Sequence, residues 1–346
     1  MSQALYRTWR PASWEEVSGQ EHIIQTLRNA VVSGRVSQAY LFAGPRGTGK
    51  TTTARLLAKA VNCLAENPAE RPCNLCGNCA AVNQGRFLDL IEIDAASNTS
   101  VDDVRELRDT INFAPSQGKF KVYIIDEVHM LSTSAFNALL KTLEEPPSHV
   151  IFILATTEIH KIPATVLSRC QRHEFRRIPL NQIVEKLRII CEQEKIQIDE
   201  DALSLIARQS TGSMRDAISL VDQLASLEGR VTLAEAQDIL GTATSQAVID
   251  LVQAVQAKDS AGGLNQIHSA LDGGADPRQF ARQVVDYLRS LLVVKLNGGK
   301  DLELLPEVRS AVNKQAAAFN AAELIAGINE FSKAASELKA NWHPGL

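Results

Sequence analysis

The sequence has no surplus of positive charge: 36 lysines and arginines face 40 acids, a net charge of −4. No global field attracts nucleic acid, so any contact with DNA has to be local. No apolar run approaches membrane-spanning length. The start of the chain, Met1 to Pro11, is polar, carries Arg7 and Arg10, and has no apolar centre of signal-peptide type. These absences set the expectation of a soluble, cytoplasmic protein with no membrane partner. Aromatic residues are few, at 5%, but a 45% apolar fraction is ample for real cores. A length of 346 residues suggests two or three domains.

The most informative stretch present is Gly44-Pro45-Arg46-Gly47-Thr48-Gly49-Lys50-Thr51, which fits the phosphate-binding pattern G-x-x-x-x-G-K-[ST]. Before it, Ala39 to Ala43 is a short apolar run that reads as a buried strand. After it, Thr52 to Val61 places Leu56, Leu57, Ala60 and Val61 at helical spacing. Strand, glycine loop and helix are the context this motif needs. Glycines let backbone N–H groups curl around phosphate oxygens, and the helix N-terminus adds partial positive charge. Lys50 is then expected to reach the β- and γ-phosphates of ATP and the Thr51 hydroxyl to hold Mg²⁺, with Thr52 completing the nucleotide-binding segment.

Strand signals recur along the first half. Phe87 to Asp94 alternates apolar and acidic residues near its end, Lys121 to Glu127 is an apolar run closed by two acids, and Val150 to Thr157 ends in hydroxyls. Helical patterns lie between them, at Glu21–Ser33, Ser100–Asn112 and Ser134–Leu143. Strands alternating with helices predict an α/β fold with a parallel, doubly wound sheet whose ligands sit at the carboxyl ends of the strands. The glycine loop, Asp126-Glu127 and Thr156-Thr157 all fall at such ends. Asp126 is expected to anchor Mg²⁺ and Glu127 to polarise the attacking water. Thr156 or Thr157 would bond the γ-phosphate or its water, or simply shape a turn.

Four of the six cysteines cluster: Cys63, Cys73, Cys76 and Cys79. In an intracellular chain this spacing reads as a metal site rather than a disulfide framework. Four thiolates suit tetrahedral Zn²⁺ with no open coordination position, and an iron–sulfur cluster is the alternative. Cys170 and Cys191 lie in apolar surroundings and read as small core residues.

From about Pro179 the pattern is helical only: Gln182–Lys195, Glu200–Gln209, Ser213–Leu227 and Thr232–Leu240. Ser213 reads as an N-cap, which puts Arg215 in the first turn, where a cation opposes the macrodipole. A nucleotide phosphate docked there would remove the mismatch, and a surface salt bridge with Asp216 or Asp222 is the alternative. Arg169, in Ser168-Arg169-Cys170 after an apolar run, needs a partner. A buried ion pair and a catalytic arginine fit equally. Further on, Val248, Leu251, Val252 and Val255 share a helical face, as do Val284, Leu288, Leu291 and Leu292.

Taken together, the glycine loop, Asp126-Glu127, Ser168-Arg169-Cys170 and Gly212-Ser213-x-Arg215-Asp216 resemble the AAA+ clamp-loader ATPases. The cysteine module, Leu90 to Ser97 and Phe136 to Pro147 narrow the resemblance to the gamma/tau family of the bacterial DNA polymerase III clamp loader. It runs from about Arg7 to the end and is strongest over residues 7–220. It implies an AAA+ domain over 1–178 with the zinc module at 63–79, a helical lid over 179–242 and an all-helical collar over 243–346. It also implies that Arg169 acts in trans on a neighbouring subunit's ATP, that Arg215 contacts the chain's own ATP, and that Thr156 or Thr157 senses the γ-phosphate. Arg10, Pro11 and Val17 would help form the adenine pocket. The family continues well past Leu346, so a tail that binds polymerase or helicase is expected beyond it.

The function so implied is an ATPase, a subunit of the DNA polymerase III holoenzyme, that opens a ring-shaped sliding clamp and places it on primer–template DNA. Its partners would be delta and delta-prime type subunits and further copies of itself in a pentamer. Asn98, Thr99, Arg105 and Thr165 are the candidate DNA contacts, because small polar groups and backbone N–H groups suit phosphates. The alternatives are a related AAA+ DNA motor such as a branch-migration helicase, and a non-hydrolysing structural subunit of the same assembly. The latter should lack Lys50 or Glu127, and both are present.

Overall fold

The computed structural model describes residues 4–97, 111–225, 229–240, 246–273, 275–299 and 306–337. The chain divides into two compact units, Met1–Ile198 with Leu203–Arg230, and Asp199–Ala202 with Val231–Leu346. The expected helix Ser100–Asn112 and the candidates Asn98, Thr99 and Arg105 lie outside the described residues, apart from the end of that helix at Ile111.

The first unit is built on five strands: β1 (Ala39–Ala43), β2 (Leu90–Asp94), β3 (Lys121–Asp126), β4 (Val150–Thr156) and β5 (Gln171–Glu174). They form one parallel sheet in the order β2-β3-β4-β1-β5. Side chains alternate across a strand, and both faces are covered, so the inner strands are apolar throughout. Tyr40 and Phe42 pack on one face and Ala39 and Leu41 on the other; Ile151 and Ile153 oppose Val150, Phe152 and Leu154 in the same way. The same unit holds α1 (Leu5–Thr8) and α4 (Gly77–Asn83), and the sheet is covered by α2 (Glu21–Ser33), α3 (Lys50–Val61), α5 (Thr133–Glu144) and α6 (Ala164–Leu167). Parallel register sets Asp94 beside Asp126 and Ala43 beside Thr156 at the carboxyl edge.

Two strand expectations need correction. The strand expected over Phe87–Asp94 begins only at Leu90, because the buried Asp89 carboxylate accepts the Ser116, Gln117 and Gly118 N–H groups, each at 2.7 Å, and fixes a loop there. Strand β5 was not expected at all. Its sequence Gln-Arg-His-Glu has no apolar alternation, since it is an edge strand with only His173 buried.

Four more helices follow: α7 (Leu180–Glu194), α8 (Glu200–Gln209), α9 (Met214–Leu224) and α10 (Leu233–Ile239). Ser213 caps α9 as expected, its hydroxyl accepting the Asp216 N–H at 3.2 Å. The second unit continues with α11 (Gln246–Gln256), α12 (Ser260–Asp272), α13 (Pro277–Asn297), α14 (Pro306–Ala318) and α15 (Ala321–Glu337). Val248, Leu251 and Val252 meet Val284, Leu288 and Leu291 in its core. Val255 does not join them. It lies in the last turn of α11 and is exposed. No helix among the described residues is long and apolar enough to cross a membrane.

Candidate functional site

The carboxyl edge of the sheet opens into a cavity of about 420 Å³ within the first unit. That volume is in the range of small-molecule sites. Arg46, Gly47, Thr48, Gly49, Lys50, Thr51 and Thr52 line it, with Asp126 and Glu127 from the end of β3 and Arg215 from α9. Arg10, Pro11 and Val17 line it too, as do Ile178, Met214 and Ile218, which add apolar surface. Sequence reasoning placed most of these residues, but missed Asp94, Lys186 and the apolar set from the helical segment.

Local rules explain the loop. Gly47 has φ +72, and a Cβ there would come within 1.8 Å of Ser213 Oγ. Only glycine allows that approach, and the loop uses it: the Met214 N–H donates to Gly47 O at 3.1 Å. Gly44, at the start, would drive a Cβ to 2.3 Å from Phe175 O. Thr48 Oγ1 donates to Pro45 O at 2.8 Å and closes the turn. Lys50 is buried, and its Nζ donates to Gly44 O at 2.9 Å and Pro45 O at 2.8 Å. Burial lowers its ammonium below the ordinary lysine value, and Glu127 and Asp126 partly offset this.

Thr51 Oγ1 donates to Asp126 Oδ2 at 2.7 Å, so the two expected Mg²⁺ groups already meet. Hydroxyl and carboxylate oxygens are the hard donors that ion takes. Glu127 has φ +47, a left-handed conformation that is uncommon for a glutamate and clusters at functional sites. Its Oε2 accepts from Thr157 N at 3.2 Å and from Thr157 Oγ1 at 2.9 Å. Thr156 is fully buried, and its Oγ1 lies 3.0 Å from Nδ1 of His129, a residue no motif had singled out.

Arg10, Arg46, Lys50, Lys186 and Arg215 are cations in the cavity lining. The Arg215 guanidinium lies 4.8 Å from the Tyr6 ring centroid. Arg10 is held below the ordinary arginine value by burial and then by repulsion from Arg55, with Arg215 and Arg7 adding to it against the opposing pull of Glu92. An anion bound among these side chains would relieve the repulsion.

Arg169 is placed differently. It is exposed, and it is not among the residues lining this cavity. Its guanidinium donates to Thr165 O at 2.7 Å, Ser168 Oγ at 3.2 Å and Glu144 Oε1 at 2.7 Å. The buried ion pair weighed from sequence is therefore a surface one. α6 turns Val166 into the core and leaves Thr165 and Arg169 facing out. Cys170 is partly buried, and burial pushes its thiol to about 11, in keeping with an inert packing residue; Cys191 behaves likewise.

The four clustered cysteines converge as expected. Their Sγ atoms all lie within 4.8 Å of one another, and those of Cys63 and Cys76 are 4.0 Å apart. A single tetrahedral ion with Zn–S bonds of about 2.3 Å would need sulfurs roughly 3.8 Å apart. A multi-iron cluster would hold them farther apart, so the donor set fits one Zn²⁺. Backbone N–H groups of Ala65 and Cys73 reach Cys63 Sγ, and those of Cys76 and Cys79 reach Cys73 and Cys76 Sγ. The Cys73 thiol is pulled down to about 6 by the Leu75 and Cys76 N–H groups, while burial pushes Cys79 up. Lys59, on the phosphate-loop helix, bolts this knuckle in place. Its buried Nζ donates to Ala12 O, Asn74 Oδ1 and Asn83 Oδ1 at 2.6, 2.6 and 2.8 Å.

Comparison with known proteins fits this geometry. Three family models match consecutive stretches. "DNA polymerase III, delta subunit" covers residues 19–179, "DNA polymerase III clamp loader subunit, ATPase lid domain" covers 182–227, and "DNA polymerase III subunits gamma and tau domain III" covers 231–344. The tau subunit of Bacillus subtilis is 46% identical over 99% of this chain, which spans 61% of that protein. The gamma subunit of Buchnera aphidicola is 47% identical over 74% of this chain and 69% of its own length. Among solved structures, the Thermotoga maritima RuvB Holliday junction branch migration motor matches with a TM-score of 0.50 at 20% identity, over 71% of this chain and 79% of that one. At that identity it supports the fold alone, an AAA+ architecture. By its matched domains and its close relatives, the chain belongs to the gamma and tau subunit family of bacterial DNA polymerase III.

Proposed function

We propose that the chain is the ATP-driven motor subunit of a clamp loader, acting in the cytoplasm with delta and delta-prime type subunits and further copies of itself in a pentamer. Its output is a sliding clamp placed on primer–template DNA. The observation that carries the reading is the convergence of Lys50, Thr51 with Asp126, Glu127 and Arg215 on one cavity. Phosphoryl transfer to water needs little covalent help, so catalysis is positioning and charge stabilisation. Lys50 and Arg215 hold the phosphates. Mg²⁺, when bound by Thr51 and Asp126, neutralises phosphate charge. Glu127 accepts the proton of the attacking water. Arg10, Pro11 and Val17 hold the adenine.

Arg169 supplies a cation to the ATP of an adjacent subunit, which its exposed position supports. Zn²⁺ on Cys63, Cys73, Cys76 and Cys79 is structural. In this reading residues 1–178 are the AAA+ domain, 179–242 the lid and 243–346 the collar, while Thr165, with Asn98, Thr99 and Arg105, follows the DNA backbone. Clamp loading onto primed circular DNA, with partner subunits added, tests the whole. ATP-dependent loading that needs this chain is expected. ATP turnover stimulated by junction DNA, with no loading, would favour a branch-migration motor instead.

A further inference from the structure

His129 belongs to none of the motifs, yet it lies buried among the hydrolytic groups. It follows Asp126-Glu127 in the short turn Val128–Met130, and 6% of its side chain is exposed. Its Nδ1 lies 3.0 Å from Thr156 Oγ1 and 3.4 Å from Glu127 Oε2. Its Nε2 lies 3.4 Å from Glu158 Oε1. One imidazole thus touches the base, the end of β4 and the acid just beyond it.

The directions of these bonds form a chain. The Glu158 N–H donates to one lone pair of Thr156 Oγ1 at 3.0 Å, and the other is open to a proton on His129 Nδ1. A proton on Nδ1 faces Thr156 Oγ1 and, at 3.4 Å, Glu127 Oε2, and it is attracted to both. Among the described residues, Glu127 is held by one oxygen. Oε2 accepts twice from Thr157 and lies against His129, whereas none of these contacts uses Oε1. Anchoring one oxygen of a carboxylate fixes where the other points, and the left-handed backbone at Glu127 requires such anchoring to persist.

We propose that His129 is a positioning residue for hydrolysis: with Thr156 and Thr157 it clamps Glu127 Oε2, so that Oε1 is presented to the attacking water. It acts through Glu127 and touches no phosphate. The proposal rests on the ATPase reading above.

The experiment uses the full chain assembled with its partner subunits, and measures nucleotide affinity, kcat, KM and thermal midpoint. His129→Ala should lower kcat by about tenfold or more, the scale of a disturbed general base. Nucleotide affinity and KM should move by less than about twofold, because ground-state binding is untouched. His129→Asn, whose amide reaches the Nδ1 position, should recover part of kcat. In a Glu127→Gln background His129→Ala should cost nothing more, since no base remains to be positioned. The proposal is overturned by a parent-like kcat in His129→Ala, by an equal loss in both backgrounds, or by a fall in thermal midpoint that His129→Asn repairs without recovering kcat. A parent that shows no Lys50-dependent turnover would reject the ATPase reading itself. A Lys50-dependent parent with an unaffected His129→Ala rejects only the role of His129.

Discussion

Lys50 and Arg169 are two cations read as acting on the same kind of phosphate, and they sit in opposite surroundings. Lys50 is buried, lines the cavity and is held by the carbonyls of its own loop. Arg169 is exposed at the end of a four-residue helix, tied to Glu144, and lies outside the lining of that cavity. On the proposed roles, one chain carries a nearly finished site and one group meant for its neighbour's. Binding groups belong in a preformed, desolvated pocket, where charge interactions are strong. A group meant for another chain's ligand has to remain at the surface, and a surface ion pair of roughly 0–1 kcal/mol is easily exchanged for a phosphate.

The comparison can be broken most sharply at Arg169. In the assembled complex, Arg169→Ala should lower turnover by roughly 10³–10⁵ while nucleotide binding to the isolated chain stays near the parent value. Arg169→Lys should recover only part, since a point charge cannot replace the planar fork. Single-turnover hydrolysis and nucleotide titration separate the two quantities.

Inside the cavity the expected effects divide by role. Glu127→Gln should keep nucleotide binding and lower hydrolysis by about 10²–10⁴, the worth of a general base. Lys50→Ala should instead weaken nucleotide binding by roughly 10–100-fold, in line with lost bonds to a charged group. A Glu127→Gln chain that hydrolysed ATP at the parent rate would remove Glu127 from the mechanism.

The cysteine knuckle sharpens the contrast from another side, as a closed site rather than an open one. Metal analysis of reduced protein should find about one Zn²⁺ per chain, and Cys76→Ser should lose it along with several degrees of thermal midpoint. A zinc-free chain that melts like the parent would contradict a structural ion.

The smallest effect expected is at Asp89, which holds the loop before β3. Burial alone would raise its pKa, but the N–H groups of Gly118, Ser116 and Gln117 more than offset this and the net value is lowered. A carboxyl lowered on folding adds stability above its unfolded pKa and loses it as the pH falls through the folded value. Asp89→Asn should therefore cost about 1–3 kcal/mol at neutral pH. In denaturant titrations the gap from the parent should narrow as the solution is acidified below about pH 4.

Much of this was legible because each signal had a single physical cause. The glycine loop needs strand and helix around it, and Ala39–Ala43 and Lys50–Val61 supply them. Cysteine spacing foretold convergence because short loops leave four sulfurs little room to part. The rest was hidden for equally physical reasons. Strand β5 is a polar edge whose pairing depends on β1 rather than on its own pattern. His129 looks like any turn residue until β4 brings Thr156 and Glu158 beside it. Lys59 belongs to no motif, and only the folded arm and knuckle supply its three oxygens. The exposure of Arg169 was invisible because its neighbours in sequence are apolar while its neighbours in space are not.

The most direct measurement of the cis-and-trans division mixes subunits. A complex is assembled with Arg169→Ala in one defined position, and hydrolysis is followed at each subunit's site separately. Turnover should be lost at the adjacent subunit's ATP and retained at the mutated subunit's own. Loss confined to the mutated subunit's own ATP would contradict the account and make Arg169 a local ligand of its own chain.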